Sequence, residues 1–316
     1  MNTKIVYAIV SSSSDFYLEQ ALLSVYSLRM YNPDAVVELV VDQSTAMGLE
    51  GKRAKIKEYV NNIHVVETPN GFNPMQRSRF LKTNLRKFVK GDFLFIDSDT
   101  IVCDSLADID KLNVKIAMVA DLNDDLLLQD CNTIEKYRAA GFGDATGLPY
   151  FNSGVIYAKD TPKVHQFYSL WYENWRASDS HGVQYDQPAL CATNVAMENI
   201  IHELDGIWNC QFKMKGYPFL RKAKIMHYYS NNGKKDNVFT LPMDILYQQV
   251  REEEITPLVD NLIRLAKTDF YAVMTVTKKQ SMSFFNSHLL YLYTNRPALY
   301  KFLEKIVRML EKVMYR

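Results

Sequence analysis

The chain has 316 residues, enough to bury a large core as one domain or one domain with an appendage. Its 37 basic side chains nearly balance 36 acidic ones, and a formal charge of +1 excludes a dedicated nucleic-acid binder. The hydrophobic share of 47% is that of a globular protein, and four scattered cysteines, none in a C-x-x-C pair, exclude a zinc knuckle or dithiol motif and fit a reducing compartment.

In chain order, residues 4–10 read as a strand, broken by Ser11 to Ser14. Apolar residues at helical spacing (Leu18, Leu22, Val25, Leu28) predict a helix over 16–31, stopped by Asn32-Pro33-Asp34. A strand at 36–41, a helix at 47–60, a strand at 63–66, an amphipathic helix at 76–89 and a strand at 93–96 follow. Strict alternation of this kind predicts an α/β fold, a mainly parallel sheet flanked by helices. Ligands of such sheets bind beyond the carboxyl ends of the strands, which places Ser11–Ser14 and Asp97-Ser98-Asp99 on the binding edge. Further on come a strand at 115–120 ending in Asp121, a loop-rich insertion at 123–147, a strand within 150–158 and a helix at 161–176.

From about residue 241 the pattern turns helical, at 244–254 and 255–267, which suggests a boundary between 1–240 and a helical region at 241–316. Within 297–316, Leu299, Phe302, Leu303, Ile306, Leu310, Val313 and Met314 share one face and Lys301, Lys305, Arg308 and Lys312 the other. From residue 278 onward eight basic residues face Glu304 and Glu311, so this tail carries +6 and the remainder −5. Such a helix is expected either to dock on an anionic membrane surface or to pack on the main domain. No apolar run approaches the ~20 residues of a membrane span, and the N-terminus lacks a signal peptide's apolar stretch, so a cytoplasmic location is expected.

The pair of carboxylates after the strand FLFI admits three readings. A phosphatase of the haloacid dehalogenase type opens with hhhhDxD, but on the first strand of its domain, whereas here the strand is the fourth. A helix N-cap at Asp99 or Asp104 accounts for one acid only. A divalent cation held by both carboxylates against a diphosphate accounts for the pair, because two adjacent acids repel unless a cation or proton joins them.

Five pieces stand in a telling order: YAIVSSSSDFYLEQALLSVYSL, SRFLKTNLRKFVKGDFLFIDSDTIV, PYFNSGVIYAKD, YDQPAL and IMHYYS. With them the chain resembles, over roughly residues 4–235, the glycosyltransferase family 8 type of GT-A glycosyltransferase, the family of bacterial lipopolysaccharide galactosyl- and glucosyltransferases and of glycogenin. The resemblance implies a GT-A fold and a Mn²⁺ ion, with Mg²⁺ as the substitute, on Asp97, Asp99 and His227. It implies that Asn152 and Ser153 of FNSG, together with Ala8, Ser11, Tyr17 and Ser98, bind the donor. Arg79, with Arg77 as the alternative, would touch donor sugar or diphosphate, and Asp121 the donor sugar. Asp186 and Gln187 look like the family's D-Q pair beside the anomeric carbon.

Two departures stand out. Pro188 occupies the third position of the family's D-Q-D, which removes one candidate nucleophile and favours a same-face substitution. The family's H-F-x-G-x-x-K-P-W becomes HYYSNNGKK, so the diphosphate lysine falls to Lys234 or Lys235. By resemblance the chain is expected to move a hexose, galactose or glucose, from a UDP-hexose to a glycan acceptor with retention of configuration. The acceptor would be a bacterial lipopolysaccharide, O-antigen or capsule intermediate, lipid-linked at the inner face of the membrane. A catalytically idle nucleotide-sugar binder is the alternative, and the C-terminal helices are left between acceptor pocket, membrane foot and dimer interface.

Overall fold

A computed structural model describes residues 1–212, 214–228, 243–267 and 296–314. The opening alternation builds one sheet. Strands β1 (Lys4–Ile9), β2 (Val37–Asp42), β3 (Asn62–Val66) and β4 (Phe93–Ile96) run parallel, with β1 between β2 and β4. Strands β6 (Ile116–Ala120), β7 (Phe151–Ala158) and β8 (Ile201–Glu203) extend it to seven in the order β3-β2-β1-β4-β7-β6-β8. β7 is antiparallel to both β4 and β6, so the fold is mixed α/β with a mostly parallel half. Every residue of β2 is buried, as expected of an inner parallel strand. Its first acid, Glu38, is held by Lys4 Nζ at 2.6 Å and faces His64 Nε2 at 2.8 Å.

Helix α1 (Tyr17–Tyr31) covers one face. Its buried side carries apolar Leu18, Leu22 and Val25 but also polar Glu19, Gln20, Ser24 and Ser27. The helix expected at 47–60 is instead a five-residue α2 (Gln43–Met47), capped by Asp42, and a 3-10 stretch at Gly51–Glu58. Gly51 at φ +53 interrupts any continuous helix there. The helix expected at 76–89 is split into α3 (Pro74–Thr83) and α4 (Leu85–Phe88), with Asn84 at φ −110 as the break. α3 opens with a capping box between Asn73 and Gln76 and with Pro74 in its first turn. α5 (Cys131–Ala139) lies in the insertion after β6, and α6 (Pro162–Ser180) and α7 (Asp186–Ala196) follow β7.

A second, two-stranded sheet decides where the chemistry gathers. β5 (Thr100–Val102) pairs antiparallel with β9 (Ile225–His227), and Thr100 lies opposite His227. The residue just before β5 is Asp99, so this pairing delivers His227 to the end of the D-x-D segment. On α1, Ser24 Oγ lies 2.7 Å from Thr100 Oγ1, and Ser27 Oγ accepts from Val102 N–H at 2.9 Å, which explains the buried serines of that helix. The core has one layer on each side of the sheet. One includes Tyr7, Leu22, Trp208 and Tyr228 and takes in Leu246, Tyr247, Val259 and Ile263 of α8 (Met243–Glu253) and α9 (Pro257–Arg264). The other centres on Phe93, Trp171 and Trp175. The last described helix, α10 (Pro297–Met314), has Leu299, Phe302 and Met309 exposed.

Candidate active site

Asp97, Asp99 and His227 each offer one ligand atom, and these atoms lie within 4.8 Å of one another. Among the described residues this is the one such group of acids, histidines and cysteines. His227 Nε2 stands 3.2 Å from Asp99 Oδ1. Its Nδ1 faces the carbonyl oxygen of the Asn209 side chain at 3.0 Å and donates to it, which turns Nε2 toward the acids. Burial opposes protonation of this imidazole, but Asp99 and Asp97 outweigh it and raise its pKa. Asp97 moves upward as well, through burial and the nearby Asp99 and Asp186, against the pull of Lys82. A hard divalent cation fits this donor set, since it would replace the proton that the crowded acids otherwise attract. Gly154 makes room for the imidazole, because a Cβ there would lie 2.5 Å from His227 Cε1.

Beside this trio lies a second cluster around Asp186, the first residue of α7 and 4% exposed. Lys82 Nζ is 3.6 Å from Asp186 Oδ2 and 3.1 Å from Asp97 Oδ1, so one buried ammonium bridges both acids. Arg79 Nε lies 3.0 Å from Asp186 Oδ1, and the Ser153 hydroxyl donates to Oδ2 at 2.7 Å. Burial would raise the pKa of Asp186, yet Lys82, Arg79 and Ser153 together hold it well below the usual carboxylate range. Arg77 turns away to an ion pair with Asp42 at the end of β2, so of the two arginines only Arg79 reaches this cluster.

The third group surrounds Asp121. A jump in the β6–β7 register, from Met118 opposite Ile156 to Val119 opposite Asn152, re-aims the segment Asn152-Ser153-Gly154. Asn152 Nδ2 donates to Asp121 Oδ1 at 2.9 Å, while its oxygen accepts from Gly154 N–H and Asn209 Nδ2. The Gln187 amide hydrogen-bonds Asp121 too, though burial prevails and raises the Asp121 pKa. The chain leaves Asp121 through Leu122 and Asn123, both at positive φ, a conformation that costs non-glycine residues about 1–2 kcal/mol each. Gln211 stabilises that turn, accepting from Leu122 N–H at 2.6 Å and donating to Ala120 O at 3.0 Å. A cleft of about 180 Å³ opens beside Asp121, with Tyr150, Leu127 and Lys215 among its walls.

The remaining predicted donor residues lie along the same edge. Ala8 is half-buried on β1. The Ser11 hydroxyl is engaged by Asp15 at 2.6 Å and Arg53 at 2.9 Å, and Ser98 Oγ donates to Gln20 Oε1 at 3.3 Å. Tyr17 is 38% exposed, and burial with Asp15 raises its pKa while Arg79 draws it down, so the ring lies within reach of the charged centre. Lys234 and Lys235 fall outside the described residues. Three residues of the site were not expected. Lys82 had a signal, since it lies one helical turn on from Arg79 and shares its face. Asn209 and Gln211 had none, being polar residues of an irregular segment.

Comparison with known proteins gives a family and a fold. Residues 8–235 match the family model described as Glycosyl transferase family 8. A search of curated protein sequences gives no match. Among solved structures, the galactosyltransferase LgtC in complex with donor and acceptor sugar analogs superposes with a TM-score of 0.52 at 17% identity, covering 79% of this chain and 94% of that one. An active-site mutant of LgtC gives 0.53 at 15% identity, covering 79% and 95%. The apo form of the glycosyltransferase GlyE of Streptococcus pneumoniae TIGR4 gives 0.51 at 16% identity, covering 84% of this chain and 64% of that one. At such identities these likenesses speak to the fold, which is the GT-A glycosyltransferase fold. The family match spans most of the chain, and the protein belongs to glycosyl transferase family 8, with a role in glycosyl transfer.

Proposed function

We propose that the protein is a metal-dependent, retaining hexosyltransferase that moves galactose or glucose from a UDP-sugar to a hydroxyl of a glycan acceptor. The observation that carries this reading is the convergence of Asp97, Asp99 and His227 at the carboxyl end of the parallel strands. When bound there, Mn²⁺, or Mg²⁺ in its place, supplies positive charge against the donor diphosphate and eases its departure. The serine turn with Ala8, Ser11, Tyr17 and Ser98 borders the nucleotide, Arg79 meets the donor sugar or the diphosphate, and Lys234 or Lys235 the diphosphate. Asp186, fixed as a carboxylate, accepts hydrogen bonds from donor hydroxyls, with Ser153 beneath it and Asn152 holding Asp121.

Retention follows most simply from a same-face substitution. The acceptor oxygen bonds to the anomeric carbon as the bond to phosphate breaks, and the acceptor proton passes to the departing phosphate oxygen. Gln187 is a poor nucleophile, and Asp186 is already bound by Lys82, Arg79 and Ser153, which suits charge stabilisation better than covalent attack. The cleft beside Asp121 has about the volume of one sugar ring and is where we place the acceptor. The acceptor is a bacterial cell-surface glycan intermediate on a lipid carrier. α10, with Leu299 and Phe302 exposed at 48% and 60% and a basic face, holds the enzyme at the anionic cytoplasmic surface. Among the described residues no helix is long and apolar enough to cross a membrane.

The test is UDP release from a panel of UDP-sugars with Mn²⁺ and with EDTA. Slow release from one UDP-hexose, abolished by EDTA, supports the reading and names the donor. Mn²⁺-dependent UDP binding without release, even with lipid-linked glycan extracts supplied, overturns it in favour of an idle binder.

A further inference from the structure

The family match ends at residue 235, yet α8, which lies beyond it, grips the serine turn. Arg251 binds both carboxylate oxygens of Glu19 at 2.9 Å. It also donates to the carbonyl oxygen of Ser13 at 3.0 Å and to that of Asp15, and its guanidinium lies 4.4 Å from the centre of the Phe16 ring. Arg53 approaches Glu19 from the 3-10 stretch after α2, with Nε 2.8 Å from Oε1, and reaches Ser12 O at 3.0 Å and Ser11 Oγ at 2.9 Å. Glu19 is only 2% exposed, so without these two cations it would be an uncompensated buried charge. Tyr247, one turn earlier on α8, packs its ring 5.7 Å from Phe16 and donates to Tyr228 Oη at 3.0 Å. Tyr228 follows His227 and donates its N–H to Asp99 O at 3.1 Å.

We infer that Arg251 is a positioning residue of the nucleotide site: through Glu19, two carbonyls and Phe16 it fixes the conformation of residues 11–17, and with it the placement of Tyr17. This rests on the proposed reading of that turn as the nucleotide border. Four serines and an aspartate have little apolar surface to anchor them, and a turn left to itself samples many conformations. A guanidinium making four planar-fork hydrogen bonds and a ring contact restricts it in advance, and preorganisation of this kind shows as ligand affinity. A lysine can meet Glu19 but cannot also reach both carbonyls and cover the ring.

The experiment is calorimetry of UDP binding at saturating Mn²⁺ on the full chain, with Mn²⁺ affinity and thermal midpoint measured alongside. Arg251→Ala is expected to weaken UDP about tenfold and leave Mn²⁺ affinity within about twofold, with Arg251→Lys regaining only part of the loss. A folded Arg251→Ala protein with UDP affinity unchanged and only a lower midpoint overturns the inference and assigns Arg251 a purely structural role. If Arg251→Ala does not fold, Arg251→Lys decides by the same readout: a loss of threefold or more supports the inference, no loss overturns it. Failure of the unaltered protein to bind UDP overturns the inference together with the nucleotide reading.

Discussion

The two acidic clusters of the site share one lysine and behave in opposite ways. Around Asp186 every demand is met by protein: Lys82, Arg79 and Ser153 converge on one carboxylate and keep it ionised. Around Asp97 the demand is not met, since Lys82 and His227 do not offset the combined effect of burial, Asp99 and Asp186, and both Asp97 and His227 are drawn toward their protonated forms. A finished cradle thus adjoins a charge-deficient pocket. In the proposed reading, the difference separates what the fold prepares in advance, the sugar-facing side, from what an added cation would complete, the diphosphate-facing side.

Breaking the charge-deficient pocket has the largest expected effect. Asp99→Asn should lower turnover of the UDP-sugar about 1,000-fold, or about 4 kcal/mol, and abolish Mn²⁺ binding measured by calorimetry. Breaking the finished cradle should act on stability first. Lys82→Met leaves Asp186 buried with Arg79 and Ser153 alone, and denaturant unfolding should show a loss of about 3 kcal/mol. Weakening the support of His227 is milder. Asn209→Ala should reduce Mn²⁺ affinity about tenfold while UDP affinity at saturating Mn²⁺ stays close to that of the unaltered protein.

The smallest effect is the most discriminating, because it depends on the sign of each shift. Asp186, depressed in the folded state, contributes stability above the ordinary carboxylate range and loses it only as pH falls through its lowered pKa. Asp97, raised, contributes stability below its unfolded pKa and loses it as pH rises through the folded value. In metal-free protein, Asp97→Asn should therefore raise stability at pH 7, and the gain should vanish as pH falls through the folded value. Urea midpoints across that range, in chelator, measure it; a loss at pH 7 would show that Asp97 is already satisfied.

How much of this was legible in the sequence depends on how local each cause is. The strand running into Asp97-Ser98-Asp99 was legible, because a short apolar run and its polar exit are neighbours in the chain. The parallel half of the sheet was legible for the same reason. The split of the helix at Asn84 was not, since one residue's backbone settles it against an unbroken amphipathic pattern. Strand β5 was missed, because three residues after the D-x-D become a strand only through β9, far later in the chain. The family motif placed His227 with the aspartates; the β5–β9 pairing supplies the physical reason. Lys82 was overlooked although Arg79 marked its helix face, and the Asn209–Asn152–Asp121 chain exists only in three dimensions.

The most direct test of the central claim, that Asp97, Asp99 and His227 form a cation site serving a nucleotide diphosphate, is calorimetry of UDP binding with Mn²⁺, with EDTA, and with Asp99→Asn. The account predicts a binding isotherm with Mn²⁺ and none in the other two conditions. Equal UDP binding in EDTA, or UDP and Mn²⁺ binding that survives Asp99→Asn unchanged, would contradict it.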